Sequence, residues 1–139
     1  MFRTFLLIVF VHSIGVMTAQ TISGIVNRYT AVTAIDTCLG RLQVADTSGF
    51  QKGDAILLIQ MQGAAISAGN NSSFGNIQSM GAAGRYERAI LDSVGPGALF
   101  LQRQLVNTYA ITGKVQVVRI AQYQHITVSD TLLDRKSVV

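Results

Sequence analysis

From residue 21 to residue 133 the chain is a succession of short runs rich in Val, Ile, Leu and Thr, each halted by glycine or a polar turn. Nowhere does an apolar face recur at helical spacing for long enough to bury one side of a helix. Such a chain satisfies its backbone hydrogen bonds between strands, so it packs sheet on sheet or curls a sheet onto itself. TISGIVN (21–27) and YTAVTAI (29–35) open the series, with Val32 and Ile35 pointing inward. RLQVAD (41–46) alternates with Leu42 and Val44 on one face. AILLIQMQ (55–62) is apolar on both faces in its first half; its second half sets Ile59 and Met61 opposite Gln60 and Gln62, as in a strand leaving the centre of a sheet. RYERAILDSV (85–94), the turn Gly95-Pro96-Gly97 and ALFLQRQL (98–105) predict a hairpin. KVQVVRIA (114–121) and QYQHITVSDTLL (122–133) close the series, the last alternating through Tyr123, His125 and Thr127. Eight short strands predict an all-β sandwich or small barrel, with ITVSDTLL as an edge open to a further strand.

One segment breaks the rhythm. GAAISAGNNSSFGNIQSMGAAG (63–84) scatters Ile66, Phe74, Ile77 and Met80 among glycine, serine and asparagine. It is expected to be a long Gly/Ser/Asn-rich loop, with room for one helical turn on which Ile77 and Met80 share a face. Loops of that length in a compact domain tend to carry function or to be disordered.

Mean hydropathy is +0.38 and only 13% of residues are charged, against about a quarter in an ordinary soluble domain. Much of the excess sits in FLLIVFV (5–11), which follows Arg3 and precedes small residues ending at Ala19. Basic start, short apolar core and small-residue exit are the parts of a secretory signal peptide, so residues 1–19 are expected to be removed and the protein to be secreted or displayed on the cell surface. After that removal no stretch approaches the 18 or so apolar residues of a membrane span. The formal charge of +4 falls to +3 without Arg3, and to +2 without Asp134, Arg135 and Lys136. The remaining basic residues are dispersed, with no patch for nucleic acid.

Little in the sequence points to catalysis. A single cysteine, Cys38, cannot form an internal disulfide and is expected to be a small buried apolar residue. The carboxylates of the mature segment before residue 134 are Asp36, Asp46, Asp54, Glu87, Asp92 and Asp130. Two of them meeting in space could serve glycoside hydrolysis, but Asp46 and Asp54 stand beside turn residues, where aspartate caps local backbone. His125 has no spaced partner for a zinc site. GAAGRYE around Gly81 and Gly84 lacks the spacing of a phosphate loop, and no alternating-aspartate calcium loop occurs. Asn70 and Asn71 each begin an Asn-x-Ser triplet, a glycosylation acceptor only in a host that uses such sites. No catalytic, cofactor-binding or metal residue is predicted, and the chain is expected not to be an enzyme.

The run LQVADTSGFQKGDAILLIQMQGA, then GRYERAILDSV, then GKVQVVRIAQYQHITVSDTL resembles the opening of large secreted proteins of Bacteroidota that carry a gliding-motility-associated C-terminal domain, the sorting signal of type IX secretion. The resemblance spans nearly all of residues 21–132. Its most telling elements are Gly53-Asp54 before LLIQMQGA, and VQVVRIAQY with the strand after it. It implies a β-rich N-terminal module, residues 20–133, of a surface or adhesin-type chain, and transfers no site residues. Text of the same form also occurs in β-modules of phage tail proteins. In relatives the strand matching HITVSDTL runs on into a Trp-Gly-rich stretch, from which this chain departs.

The departing residues, DRKSVV (134–139), are the one-frame translation of a common sequencing adapter, GAT CGG AAG AGC GTC GTG, followed by a stop. They are expected to be adapter-encoded, with the gene continuing past Leu133. The expected function is a non-catalytic module for adhesion or matrix contact, meeting an extracellular glycan or protein and the downstream domains of its own chain. Two further readings stand beside it: an accessory domain ahead of a secreted hydrolase, or a small secreted binding protein with the 63–84 loop as its contact surface.

Overall fold

A computed structural model describes residues 19–133; the expected signal peptide, apart from its last residue, and the expected adapter-encoded tail lie outside the described residues. The chain forms β1 (Gln20–Ile25), β2 (Arg28–Asp36), β3 (Arg41–Val44), β4 (Ala55–Gln60), β5 (Ala65–Ile66), β6 (Ile77–Ser79), β7 (Tyr86–Gly95), β8 (Ala98–Leu101), a 3-10 turn at Ile111–Gly113, β9 (Val115–Ile120) and β10 (Ile126–Leu133). Six strands close into a barrel in the order β2-β3-β8-β7-β4-β9, every neighbour antiparallel. The fold is therefore all-β, and of the two expected architectures it is the barrel. β1 and β10 form a separate parallel ribbon, and β5 and β6 a small hairpin inside the 63–84 segment.

Two long strands make the closure possible. β2 pairs with β9 through Arg28–Ala31 and then with β3 from Val32 onward. β7 pairs with β4 through Tyr86–Ile90 and then with β8 from Leu91 onward. Each has an irregular register just past the change of partner, between Val32 and Ala34 and between Leu91 and Ser93. A bulge bends and twists a strand locally, which lets one strand serve two arcs of the wall. The β7–β8 hairpin turns at Pro96-Gly97, with Gly97 at φ 64, a conformation glycine adopts without penalty.

The interior is filled by Val32, Leu42, Val44, Ile56, Leu58, Leu91, Leu99, Leu101, Val115 and Val117, with Phe50 from the β3–β4 connection. The expected inward residues Val32, Leu42 and Val44 are buried, and Ile35 packs against the core.

Five expectations need correction. In β4 the inward face is Ile56, Leu58 and Gln60, so the glutamine is buried and Met61 is exposed; the strand keeps period two to its end and its polar residue falls on the core side. β8 stops at Leu101, and residues 102–110 run as an irregular strap. Residues 63–84, expected as a long loop with room for one helical turn, hold a short strand pair. Ile66 pairs with Ile77, and Gly75 (φ 83) and Gly81 (φ 52) interrupt any helix there. Cys38 is exposed, because the turn from Asp36 to Arg41 is too tight and superficial to enclose it. His125 also lies just before β10 rather than within it, its carbonyl accepting the Gln20 N–H at 3.0 Å.

Leu58, fully buried at the middle of the wall, and Val106, 93% exposed, provide a direct test of this packing. Leu58→Ala should cost about 2–5 kcal/mol in denaturant unfolding, whereas Val106→Ala should stay within about 0.5 kcal/mol.

Candidate functional site

One end of the barrel is organised around Gln60. Its side chain is 2% exposed, and a buried amide is tolerated only when its polar atoms are paired. Here Oε1 accepts the Ala110 N–H at 2.9 Å and Nε2 donates to the Gln62 carbonyl at 2.7 Å. Its backbone joins the same junction: the Gln60 N–H reaches Arg85 O at 2.9 Å, and Gly84 N–H reaches Gln60 O at 2.8 Å. Gln62 N–H in turn donates to Gly113 O at 2.7 Å. One residue, through its backbone and its side chain together, thus ties the end of β4 to the segment before β7 and to the 3-10 turn before β9.

Glycines make room for it. A methyl group on Gly113 would overlap the Gln60 amide and the Gln62 carbonyl, and one on Gly81 would overlap the Gly63 carbonyl. Gly63, at φ 140, lies with its open side against the same Gln60 nitrogen. Beside this junction opens a cleft of about 640 Å³, lined by Met61, Gln62, Ala64, Ala82, Ala83 and Thr112 among others.

The β5–β6 hairpin rises next to the cleft. Ile66 and Ile77 are cross-strand partners, 56% and 65% exposed, and Phe74 in the connecting turn is 68% exposed. Met61, Met80 and Tyr86 extend the run of exposed large apolar side chains at the roots of the hairpin. The turn itself is well built: Asn71 Oδ1 accepts Ser73 N–H at 2.9 Å, Gly75 N–H reaches Ser67 O at 2.8 Å, and Ser67 N–H reaches Asn76 O at 2.9 Å. The loop is therefore a shaped element that offers apolar side chains to solvent.

On the neighbouring wall, Glu87 fastens the 102–110 strap by accepting the Val106 and Asn107 N–H groups at 3.2 and 2.8 Å, while Arg85 donates to the Thr108 carbonyl at 2.7 Å. The strap leans on the core through Leu105 and Tyr109, and the 3-10 turn that follows it through Ile111. Burial first, and the nearby Glu87 carboxylate second, push the Tyr109 phenol up to about 12.

The other candidate residues are spread over separate local structures. Asp36 accepts Leu39 N–H and lies 3.5 Å from Arg41. Asp46 and Asp54 cap the Ser48 and Gln51 N–H groups at 2.8 Å, as their turn positions predict. Asp92 lies 3.6 Å from Lys52, and Asp130 accepts Thr131 N–H. No two of the six share a partner in these contacts, and the described residues contain no group of three or more His, Cys, Asp or Glu able to hold a metal. Sequence reasoning missed Gln60 and Gly113. The available signal was parity, since Gln60 stands two and four residues after Leu58 and Ile56.

Gly113→Ala should lower stability by about 1–3 kcal/mol, and the penalty should shrink in a Gln60→Ala background because the colliding amide is gone. Tyr109 gives a pH test. An unfolded tyrosine releases its proton near 10.0 and the folded one near 12. Its contribution is therefore complete below pH 10 and is lost as pH rises from 10 to 12. Absorbance titration should show a tyrosine ionising near 12 that Tyr109→Phe removes, and the variant should lose less stability across that interval.

No family model and no curated protein matches the sequence. Among solved structures the chain is similar to the Gp54 tailspike of Acinetobacter baumannii bacteriophage AP22, solved in complex with A. baumannii capsular saccharide. The TM-score is 0.46 at 11% identity, and the match covers 78% of this chain and 17% of the tailspike chain.

Proposed function

We propose that this protein is a non-catalytic contact module of an exported surface protein, in which the barrel is a rigid base and the β5–β6 hairpin meets an extracellular macromolecule. The observation that carries this reading is the hairpin itself. Ile66, Phe74 and Ile77 project into solvent from a turn held by its own hydrogen bonds. Large apolar side chains gathered on a defined surface element mark interaction sites, and a pre-shaped element loses little entropy on binding. The exposed Met61 and Met80 at its base add adaptable apolar contact.

A protein partner fits this aliphatic and methionine-rich surface better than a sugar does, because saccharide recognition depends on many polar groups around an aromatic platform. A glycan remains the alternative partner and would draw on Phe74 and Tyr86. Export to the surface is supported by the basic start, apolar core and small-residue exit of residues 1–19. Membership of large Bacteroidota surface chains is supported by the resemblance of residues 21–132.

The test is to probe arrays of extracellular-matrix proteins and of glycans with the wild-type chain and with the triple variant Ile66→Ser, Phe74→Ser, Ile77→Ser. The expected result is a protein-array signal that the variant loses by about tenfold or more, with thermal unfolding unchanged because the three side chains already face solvent. A wild-type chain that binds neither array, or a variant that binds equally well, would overturn the proposal. A signal confined to glycans would transfer the role to the sugar alternative.

A further inference from the structure

The end of the barrel opposite Gln60 carries charge that the fold leaves unpaired. Arg119, near the end of β9, stands across from Arg28 of β2 on one side and from Ile56 of β4 on the other. It is in phase with the buried Val115 and Val117, and Arg28 is in phase with the buried Thr30 and Val32. Both arginines therefore stand on the inward side of the wall, where β2 begins and β9 ends. Side chains directly opposite one another on antiparallel strands are about 5 Å apart, and like charges there destabilise the pair. Among the described residues neither guanidinium joins an ion pair; those that form are Arg41–Asp36 and Lys52–Asp92. The Arg119 Nε is buried with no hydrogen-bond partner, a condition that native structures seldom leave unrelieved.

Beside this arginine a pocket of about 250 Å³ opens between the start of β4, the end of β9 and the first residue of β1. Asp54, Gln20, Gln122 and Tyr123 line it together with Arg119. Asp54 Oδ2 is taken by the Gln51 N–H at 2.8 Å, which leaves Oδ1 able to accept another donor. Drug-sized ligands occupy pockets of about 300–1,000 Å³, so this one suits a single compact polar unit.

We propose that the pocket binds one unit of an acidic sugar, with its carboxylate on Arg119, its hydroxyls on Asp54, Gln20 and Gln122, and its ring against Tyr123. The guanidinium is a planar fork that matches a carboxylate, and the unpaired Nε is one arm of that fork. The Arg28 charge alongside adds to the attraction for an anion, and a bound anion relieves the repulsion between the two arginines. Asp54 disfavours a bare sulfate or phosphate, whose charge lies on every side. A ligand acidic at one end and hydroxylated at the other suits both Arg119 and Asp54. Amide side chains donate and accept, as sugar hydroxyls do, and an aromatic ring offers an apolar face with a polar tip. The chemistry is the same for a free sugar acid and for a unit within a polysaccharide. The site lies at the other end of the barrel from the β5–β6 hairpin and does not depend on the role given to that hairpin.

The test is an NMR titration of the isotope-labelled full chain with D-glucuronate, D-glucose, sulfate, glycine and an oligogalacturonate. Glucuronate should bind saturably in about the millimolar range, the strength open to one sugar unit, and should shift the Gln122 and Tyr123 amides. Glucose should bind about tenfold more weakly or less, for want of the carboxylate. Tighter binding of the oligomer would support a polysaccharide as the source, and equal binding the free acid. Arg119→Gln should weaken glucuronate by about tenfold or more, with an unchanged or higher thermal midpoint because one of two facing like charges is gone. Gln122→Ala, at an exposed position, should weaken binding several-fold and gives a second variant that leaves the barrel interior untouched. The Ile66→Ser, Phe74→Ser, Ile77→Ser variant should bind glucuronate as the wild type does, which separates this site from the hairpin. The proposal is overturned if neither glucuronate nor the oligomer binds, or if sulfate or glycine binds as tightly. Equal binding by Arg119→Gln and Gln122→Ala, or loss of binding in the hairpin variant, would also overturn it.

Discussion

The buried amide of Gln60 is the contact on which one end of the barrel depends. A barrel wall finishes by itself, since each strand has two neighbours, but its ends are open and must be covered by connections whose own polar groups need partners. Gln60 answers both needs. It fills the end of the interior where an apolar side chain would leave Ala110 N–H and Gln62 O without their present partners, and it draws three connections to one point. The cost is a demand for space, met by glycine at 63 and 113. The cleft and the hairpin stand beside this junction, so the exposed apolar side chains of the hairpin are rooted near one of the most constrained parts of the fold.

The strap shows the same principle on the neighbouring wall. Glu87 stands half-buried on the core-facing side of β7, in phase with Ala89 and Leu91 and opposite Leu58, and accepts two backbone N–H groups from residues 106 and 107. Tyr109 then leans on the core with its hydroxyl held in a setting that opposes ionisation. An irregular segment is thereby given a defined path without secondary structure of its own.

Much of the wall was legible in the sequence because strand alternation is a local signal. Leu42 and Val44, or Val115 and Val117, declare their face within four residues. Closure was not legible, since it rests on β9 joining both β2 and β4 and on two bulges whose positions depend on the curvature of the whole wall. Gln60 escaped notice because residue chemistry and strand parity pointed in opposite directions, and parity decided. The hairpin within 63–84 was masked by its composition: Ala65, Ile66 and Ile77–Ser79 are too short to form a pattern and pair only because the turn between them folds back. The exposure of Cys38 followed from turn tightness, which residue-type tendencies do not register.

The placement of β1 and β10 also has a mechanical meaning. The chain enters along β1, builds the whole barrel, and leaves along β10, beside β1 and pointing the same way. Tension applied at Gln20 and at Leu133 therefore slides the two strands lengthwise past each other. The bonds between them share the load together and cannot be peeled one at a time, and until they fail the barrel lies outside the line of force. A ribbon that looks like a loose appendage is, under tension, the clasp that shields the domain behind it.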